Sequence, residues 1–296
     1  MNAIRTSRLA DRCAAWTFGA IASLTVILLI GIFVFLCFSG IGAFREITLS
    51  DFLFGTRWNP EAMQGAQWGT LGLATGTLLV CVGSLLFAVP LGLALAIYMS
   101  QLAGPRTREI LKPVIEMISG IPSVVLGLLG LLYIAPLVAR AFDLSNGLTA
   151  ITASLLVGLA TVPTIASICE DALSSVSGRL AEASLAVGAT HWTTIRRVII
   201  PAASSGIATA VMLGLGRAIG ETMVVLMVAG NSLAFPHSLF GPVRPMTATI
   251  AIEIREVVVG DLHWQALFAM GLVLFIATFI INTACDLLFP SQRLRS

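Results

Sequence analysis

Two opposite charges, Arg217 and Glu221, stand four residues apart inside the otherwise uncharged run 201–229. On a continuous helix they would lie about 24 and 30 Å beyond Pro201, and Arg217, Gly220 and Glu221 would share a face. A guanidinium is a planar fork of donors matched to the oxygens of a phosphate-like anion. In one reading Arg217 lines an anion route, while Glu221 orients it and weakens its grip enough for release. In the other, the two charges neutralise each other in an ion pair that packs helices, with Gly216 and Gly220 forming a GxxxG contact. Both readings turn the charges away from lipid, because a charge at a bilayer centre costs at least about 2.5–3.5 kcal/mol.

Other chemistries lack their residues. Lys112 is the only lysine and follows Leu111, so no GxxxxGK[ST] phosphate loop exists and the chain has no P-loop with which to hydrolyse ATP. The five cysteines are scattered without a CxxC, and His191, His237 and His263 show no ligand spacing, so neither a metal site nor a disulfide framework is expected. A net charge of +2 provides no basic field for nucleic acid.

The elements that must position the charged pair are membrane helices. Of the 296 residues 57% are hydrophobic and 11% charged, and the mean hydropathy is +0.96. Five stretches, 13–44, 62–105, 117–139, 144–169 and 262–285, contain no Asp, Glu, Lys or Arg. Each exceeds the roughly 20 residues that cross a hydrocarbon core as a helix. The chain is therefore expected to be an all-α, polytopic membrane protein with six spans, near 18–39, 69–98, 114–139, 148–169, 201–229 and 264–288. Pro90 should kink or break the second. The first reads as a retained anchor, its uncharged run being too long for the core of a signal peptide. Eleven Lys and Arg fall on the N-terminus, 99–113, 170–197 and the C-terminus, against five on 40–68, 140–147 and 231–261. The positive-inside rule then places both termini in the cytoplasm. The expected organisation is a cytoplasmic N-terminus 1–17, a permease domain 18–288 containing a cytoplasmic loop 170–200, and a cytoplasmic C-terminus 289–296. No internal repeat is evident.

That cytoplasmic loop reads as two short helices, 177–187 and 190–200, joined by a turn at Gly188 and followed by Pro201 at the start of the next span. The second offers Trp192 and Ile195 as apolar contacts beside Arg196 and Arg197. By composition alone it suits an amphipathic hairpin lying on lipid headgroups. Its wording points elsewhere. Glu182-Ala183-Ser184, three residues, Gly188, nine residues, Val198, two residues and Pro201 resemble the EAA motif of ABC importer permeases. Ser184 replaces the motif's second Ala and Val198 its Ile. What this implies is a pair of coupling helices, carrying Glu182, Ala183, Gly188, Trp192, Arg196 and Pro201, that dock into a separate ATPase subunit.

A narrower resemblance surrounds the charged pair. Gly214-Leu215-Gly216-Arg217-Ala218-Ile219-Gly220-Glu221-Thr222-Met223 looks like the signature of phosphate importer permeases of the PstC type. Trp58-Asn59-Pro60, Ala88-Val89-Pro90-Leu91-Gly92-Leu93-Ala94-Leu95-Ala96-Ile97-Tyr98 and Glu116-Met117-Ile118-Ser119-Gly120-Ile121-Pro122-Ser123-Val124-Val125 agree with it. The sister permease typically follows its Gly-Glu-Thr with Ala-Pro, where Met223-Val224 stand here. The likeness covers roughly residues 50–290.

It implies a type I ABC importer permease in a bacterial cytoplasmic (inner) membrane. The implied partners are a second homologous permease subunit forming a heterodimer, an ATPase dimer holding ATP and Mg, and an extracytoplasmic phosphate-binding protein. Apart from the lipid bilayer no other partner is implied, and this chain itself would bind no cofactor and catalyse no reaction. In that family the residues matched by Arg217 and Glu221 are tied to transport. Another oxyanion, sulfate or molybdate, is the alternative cargo, and an ion-coupled secondary anion transporter is the alternative machine.

Three further features carry expectations. Lys112 and Glu116 are spaced for a local ion pair. The Gly120-Ile121-Pro122-Ser123 break either exposes backbone N–H groups to an anion or is a packing kink. Residues 245–257 set Ile250, Ile254 and Val257 at helical spacing, as either an amphipathic helix at the outer mouth where a delivery protein would touch or a plain interfacial helix.

Overall fold

The computed structural model describes residues 2–62 and 65–288; the expected C-terminal segment 289–296 lies outside them. Five helical stretches are long and apolar enough to cross a membrane: Ala14–Arg45, Leu71–Leu102, Ser123–Ala141, Ala150–Ser174 and Leu262–Ala284. The sixth passage is a bent pair, His191–Ala202 and Ser204–Gly220, meeting at 69°.

The first helix, α1 (Asn2–Gly40), runs unbroken from the expected N-terminal segment into the first span. From residue 14 onward most of its length is apolar and exposed on this chain. It docks through its far end against α14 (Leu262–Leu288). A Cβ on Gly40 would lie 2.7 Å from the Ala269 nitrogen, so glycine permits the approach. Phe33 stacks near Phe275 and Phe35 near Phe268, each pair with ring centroids 5.4 Å apart. A 3-10 turn (Ile41–Arg45), α2 (Leu49–Phe54) and a two-stranded hairpin, β1 (Trp58–Asn59) against β2 (Gln67–Trp68), lead to α3 (Leu71–Ile97). Pro90 does not break α3: among packed membrane helices a lost backbone bond can be offset locally. A π-helical turn (Tyr98–Leu102) ends that span.

The third span starts later than its uncharged run suggests. The amphipathic helix α4 (Pro105–Ser119) ends on Gly120, and Pro122 takes an extended ψ of 131°. Only then do α5 (Ser123–Leu129), a π-helical turn (Gly130–Ile134) and α6 (Ala135–Ala141) make the crossing. Gly120 and Pro122 together enforce the interruption, since a residue before proline is pushed out of the helical region. Lys112 pairs with Glu170 at 2.8 Å and Asp171 at 2.9 Å rather than with Glu116. Arg108 joins it on Glu170, whose side chain is fully buried. The Lys112 ammonium is held above its ordinary range, chiefly by its hydrogen bond to Glu170. This cluster fastens α4 to the end of α7 (Ala150–Ser174).

The helix α7 is the most buried span, sandwiched between α3 and α11 (Ser204–Gly220). Ile165 is fully buried between two glycines. A Cβ on Gly92 of α3 would come within 2.8 Å of Ile165, as would one on Gly214 of α11. Small residues let backbones approach closely where lipid supplies no hydrophobic drive. After α7 come α8 (Gly178–Ala186), α9 (His191–Thr194), a π-helical turn (Ile195–Ile199) and α10 (Ile200–Ala202). Beyond α11 the chain forms α12 (Met223–Val228) and α13 (Met246–Glu253) before α14.

At the end of the molecule away from α8, one carboxylate ties four segments together. Glu253 pairs with Arg244 at 3.1 Å, accepts from Trp58 Nε1 at 2.9 Å and meets His263 Nε2 at 2.9 Å. Of the expected helix 245–257 only Met246–Glu253 is regular, and Glu253 turns inward. Removing one member of a buried ion pair strands the other. Glu253→Ala should therefore cost about 3–5 kcal/mol, read from thermal or denaturant unfolding in detergent. An unchanged midpoint would mean that Arg244 and Trp58 find other partners.

Candidate functional site

Arg217 stands on α11 about 20 Å along the axis from Ser204, well inside the span. Its side chain is exposed on the surface of this chain. Its Nη1 donates to Thr164 Oγ1 of α7 at 3.0 Å. The packing of Gly214 onto Ile165, next in sequence to Thr164, sets the spacing of the two helices.

Glu221 is not on that helix. The regular helix ends at Gly220, and Glu221 takes an extended ψ of 125°. The expected span 201–229 differs from the structure in two ways: the 69° bend moves the start of its straight part to Ser204, and the helix is broken at Glu221-Thr222, whereas Arg217 lies on it without a break. Among the described residues Arg217 and Glu221 form no ion pair. The carboxylate instead accepts from the backbone N–H of Thr222 at 3.1 Å and of Val224 at 3.2 Å, capping α12. The Glu221 carbonyl accepts from Thr247 Oγ1 at 3.0 Å. Such partners are what a helix break in a membrane demands, since backbone groups left unmet in hydrocarbon cost several kcal/mol. Nor do Gly216 and Gly220 make a GxxxG contact within this chain: no atom lies within 4 Å of a Cβ built on either. They line an open groove of about 400 Å³ with Thr247, Gly271 and Phe275.

The loop after α7 has the two-helix form expected of it. Gly188 adopts φ +86° in open space, so a side chain there would meet backbone strain rather than a neighbour. Its N–H reaches Leu185 O and that of Ala189 reaches Ser184 O, closing the end of α8. Thr190 caps α9 by accepting from Thr193 N at 3.2 Å. The two arms are tied by Ser184 and Thr194, whose hydroxyls are 2.9 Å apart. Glu182, Ala183, Gly188, Arg196 and Pro201 are exposed, and Trp192 is 59% exposed beside bare Leu185 and Val187. Ile195 departs from expectation. It is 1% exposed, because it roots the second arm in the core with Leu173 and Ile199. Pro201 closes this arm instead of opening the span, which begins after Ala203.

Residues 88–294 match the pattern of the family described as "Binding-protein-dependent transport system inner membrane component". The chain belongs to this family. It is a multi-pass inner-membrane permease, a transport component and not an enzyme, whose partners are an ATPase and a substrate-binding protein. The permease is 36% identical to the "Probable ABC transporter permease protein YqgH" of Bacillus subtilis (strain 168), over 95% of this chain and 88% of that one. It is 35% identical to the "Phosphate transport system permease protein PstC" of Mesorhizobium japonicum, over 94% of this chain and 89% of that one. In fold it is similar to a chain of a bacterial alginate ABC transporter, with TM-score 0.63 at 17% identity over 94% of this chain and 95% of that one. It also resembles a chain of the inward-facing MetNI methionine transporter, with TM-score 0.55 at 19% identity over 75% and 94%. The architecture is that of a type I ABC importer permease.

Thr164 and Glu170 were not singled out by sequence reasoning. Neither has a motif, but an arginine inside a span needs a polar partner on a neighbouring helix, and Thr164 is one of six hydroxyl residues in 148–169. The Glu221 cap yields a testable distinction. Glu221→Ala should lower stability by about 1 kcal/mol, the usual cost of losing a helix cap. Glu221→Gln, whose amide oxygen can still accept both N–H groups, should lose less. Unfolding of both variants in the same detergent measures this.

Proposed function

We propose that this permease carries inorganic phosphate into the cell as the membrane subunit of an ATP-driven importer. The observation that carries the reading is Arg217. It is a cation inside a membrane-spanning segment, exposed on the chain's surface and not neutralised by Glu221. Such a charge cannot face lipid without a cost of at least about 2.5–3.5 kcal/mol. A face turned toward a second, homologous permease resolves this, with a water-lined anion path running between the two. The substrate follows from the relatives named for phosphate transport and from the fit of guanidinium to phosphate oxygens.

The remaining assignments follow from this reading. Both termini lie in the cytoplasm, by the distribution of Lys and Arg. The loop bearing Glu182, Ala183, Gly188, Trp192, Arg196 and Pro201 seats in an ATPase dimer, which holds the ATP and Mg that this chain has no loop to bind. Exposed Trp192, Leu185 and Val187 beside Arg196 suit such an interface, where aromatic residues and arginine are enriched. A binding protein delivers phosphate from outside. Glu221 shapes the path indirectly, by holding the helix break next to Arg217.

Initial rates of radiolabelled phosphate uptake into proteoliposomes test the reading, using the assembled complex with its binding protein. Uptake by wild type should require ATP, and Arg217→Gln should reduce it at least tenfold while the complex still assembles, as loss of a charged hydrogen-bonding partner predicts. Uptake driven by an ion gradient without ATP would overturn the importer reading. Uptake of sulfate or molybdate in place of phosphate would change the cargo and keep the machine. Full phosphate uptake by Arg217→Gln would remove the arginine from the path.

A further inference from the structure

Threonines in these membrane helices share a habit. Thr75 donates to Leu71 O at 2.7 Å, Thr77 to Leu73 O at 2.9 Å and Thr161 to Val157 O at 2.7 Å. Thr209 and Thr278 likewise donate to the carbonyl four residues back, at 3.0 and 2.8 Å. This back-bond is how a helical hydroxyl is satisfied where water is absent. Thr164, one turn along α7 from Thr161, does not follow it. Its oxygen accepts from Arg217 Nη1, and among the described residues no acceptor receives its proton.

We propose that Thr164 is part of the anion-binding site formed around Arg217, fixing the guanidinium through its oxygen and donating its own O–H to the passing oxyanion. The inference rests on the reading of Arg217 given above. A hydroxyl can accept and donate at once, whereas an ionised carboxylate only accepts and would compete with the anion for the arginine. A guanidinium has five N–H groups in a fixed fork. Arg217 spends one on Thr164, and among the described residues no side chain or backbone acceptor takes the other four. Thr164 and Arg217 together therefore present four guanidinium N–H groups and one O–H as donors, against a single spare lone pair on the threonine oxygen, which is a set suited to an oxyanion. Buried Ile165 between Gly92 and Gly214 fixes the distance between the two helices and hence this geometry. Because the nearest acceptor to the guanidinium is a neutral oxygen, the charge of the site stays positive. Glu221, whose carboxylate accepts from the N–H groups of Thr222 and Val224, forms no ion pair with Arg217 among the described residues.

The test compares Thr164→Val, Thr164→Ser and Arg217→Gln in the complete complex with binding protein and ATP. Phosphate uptake is measured against the concentration of phosphate-loaded binding protein. Thr164→Val matches the shape of threonine without its hydroxyl. It should lower the maximal rate about tenfold or more, the scale of a lost hydrogen bond to a charged group. The concentration for half-maximal uptake should stay unchanged, because docking of the binding protein is untouched. Thr164→Ser should restore uptake to within about twofold of wild type, which a purely packing role for the methyl group would not allow. Thermal midpoints of the three complexes establish that the loss does not come from unfolding. Wild-type uptake by Thr164→Val with uptake lost in Arg217→Gln would overturn this proposal alone. A serine variant as inactive as the valine one would also overturn it. Full uptake by Arg217→Gln would overturn it together with the reading on which it rests.

Discussion

A helix interrupted inside a membrane must find partners for the backbone groups it frees, and around Glu221 this requirement organises the centre of the molecule. The α11 helix ends at Gly220, and the N–H groups of Thr222 and Val224 would be unmet if the Glu221 carboxylate did not accept both. Thr247, in the first turn of α13, donates to the carbonyl of Glu221. These bonds have a consequence for charge. A carboxylate committed to capping is withdrawn from Arg217 one turn away, so the arginine keeps its positive field and takes a neutral partner, Thr164. A helix uninterrupted through Glu221 would have favoured the opposite outcome, an ion pair between residues four apart.

The helix that carries Thr164, α7, connects this centre to the two-helix loop after Ser174. Thr164 lies six residues, about 9 Å, before Glu170. There Arg108 and Lys112 clamp the helix to α4, and the two-helix loop begins beyond Ser174. Ile195 and Ile199 root the second arm of that loop in the same core as Leu173 and Cys169. A displacement of the loop therefore acts on a packed unit that includes α7, and packed units shift as bodies because their interiors do not compress. At the opposite end Glu253 fastens the hairpin, α13 and α14 to one another. The two charged clusters brace opposite ends of the bundle and leave Arg217 between them.

Much of this was legible in the chain. Uncharged runs longer than a bilayer is thick locate the spans, because lipid tolerates little else. The two-helix loop after α7 was readable because Gly188 and Pro201 punctuate it and its polar residues cannot sit in hydrocarbon. The failures share a physical cause. Local spacing suggested Lys112 with Glu116 and Arg217 with Glu221, yet packing brought Glu170 and Thr164 from more than fifty residues away. Burial of Ile195 depends on where the second arm leaves the bundle, which helical periodicity in a short amphipathic segment does not reveal. Glu253 reads as one charge among several in 245–257, and only the fold brings Trp58, Arg244 and His263 to it.

The claim on which everything else depends is that the side chain at position 217 meets water and anions inside the assembled complex rather than lipid or a dry helix interface. Its most direct measurement is the reactivity of Arg217→Cys, in a background whose native cysteines have been replaced, toward a small negatively charged, membrane-impermeant thiol reagent. The account predicts modification in the complex, slowed when phosphate is present and dependent on the nucleotide state of the ATPase. Modification only by an uncharged, lipid-soluble reagent, with no protection by phosphate, would contradict it.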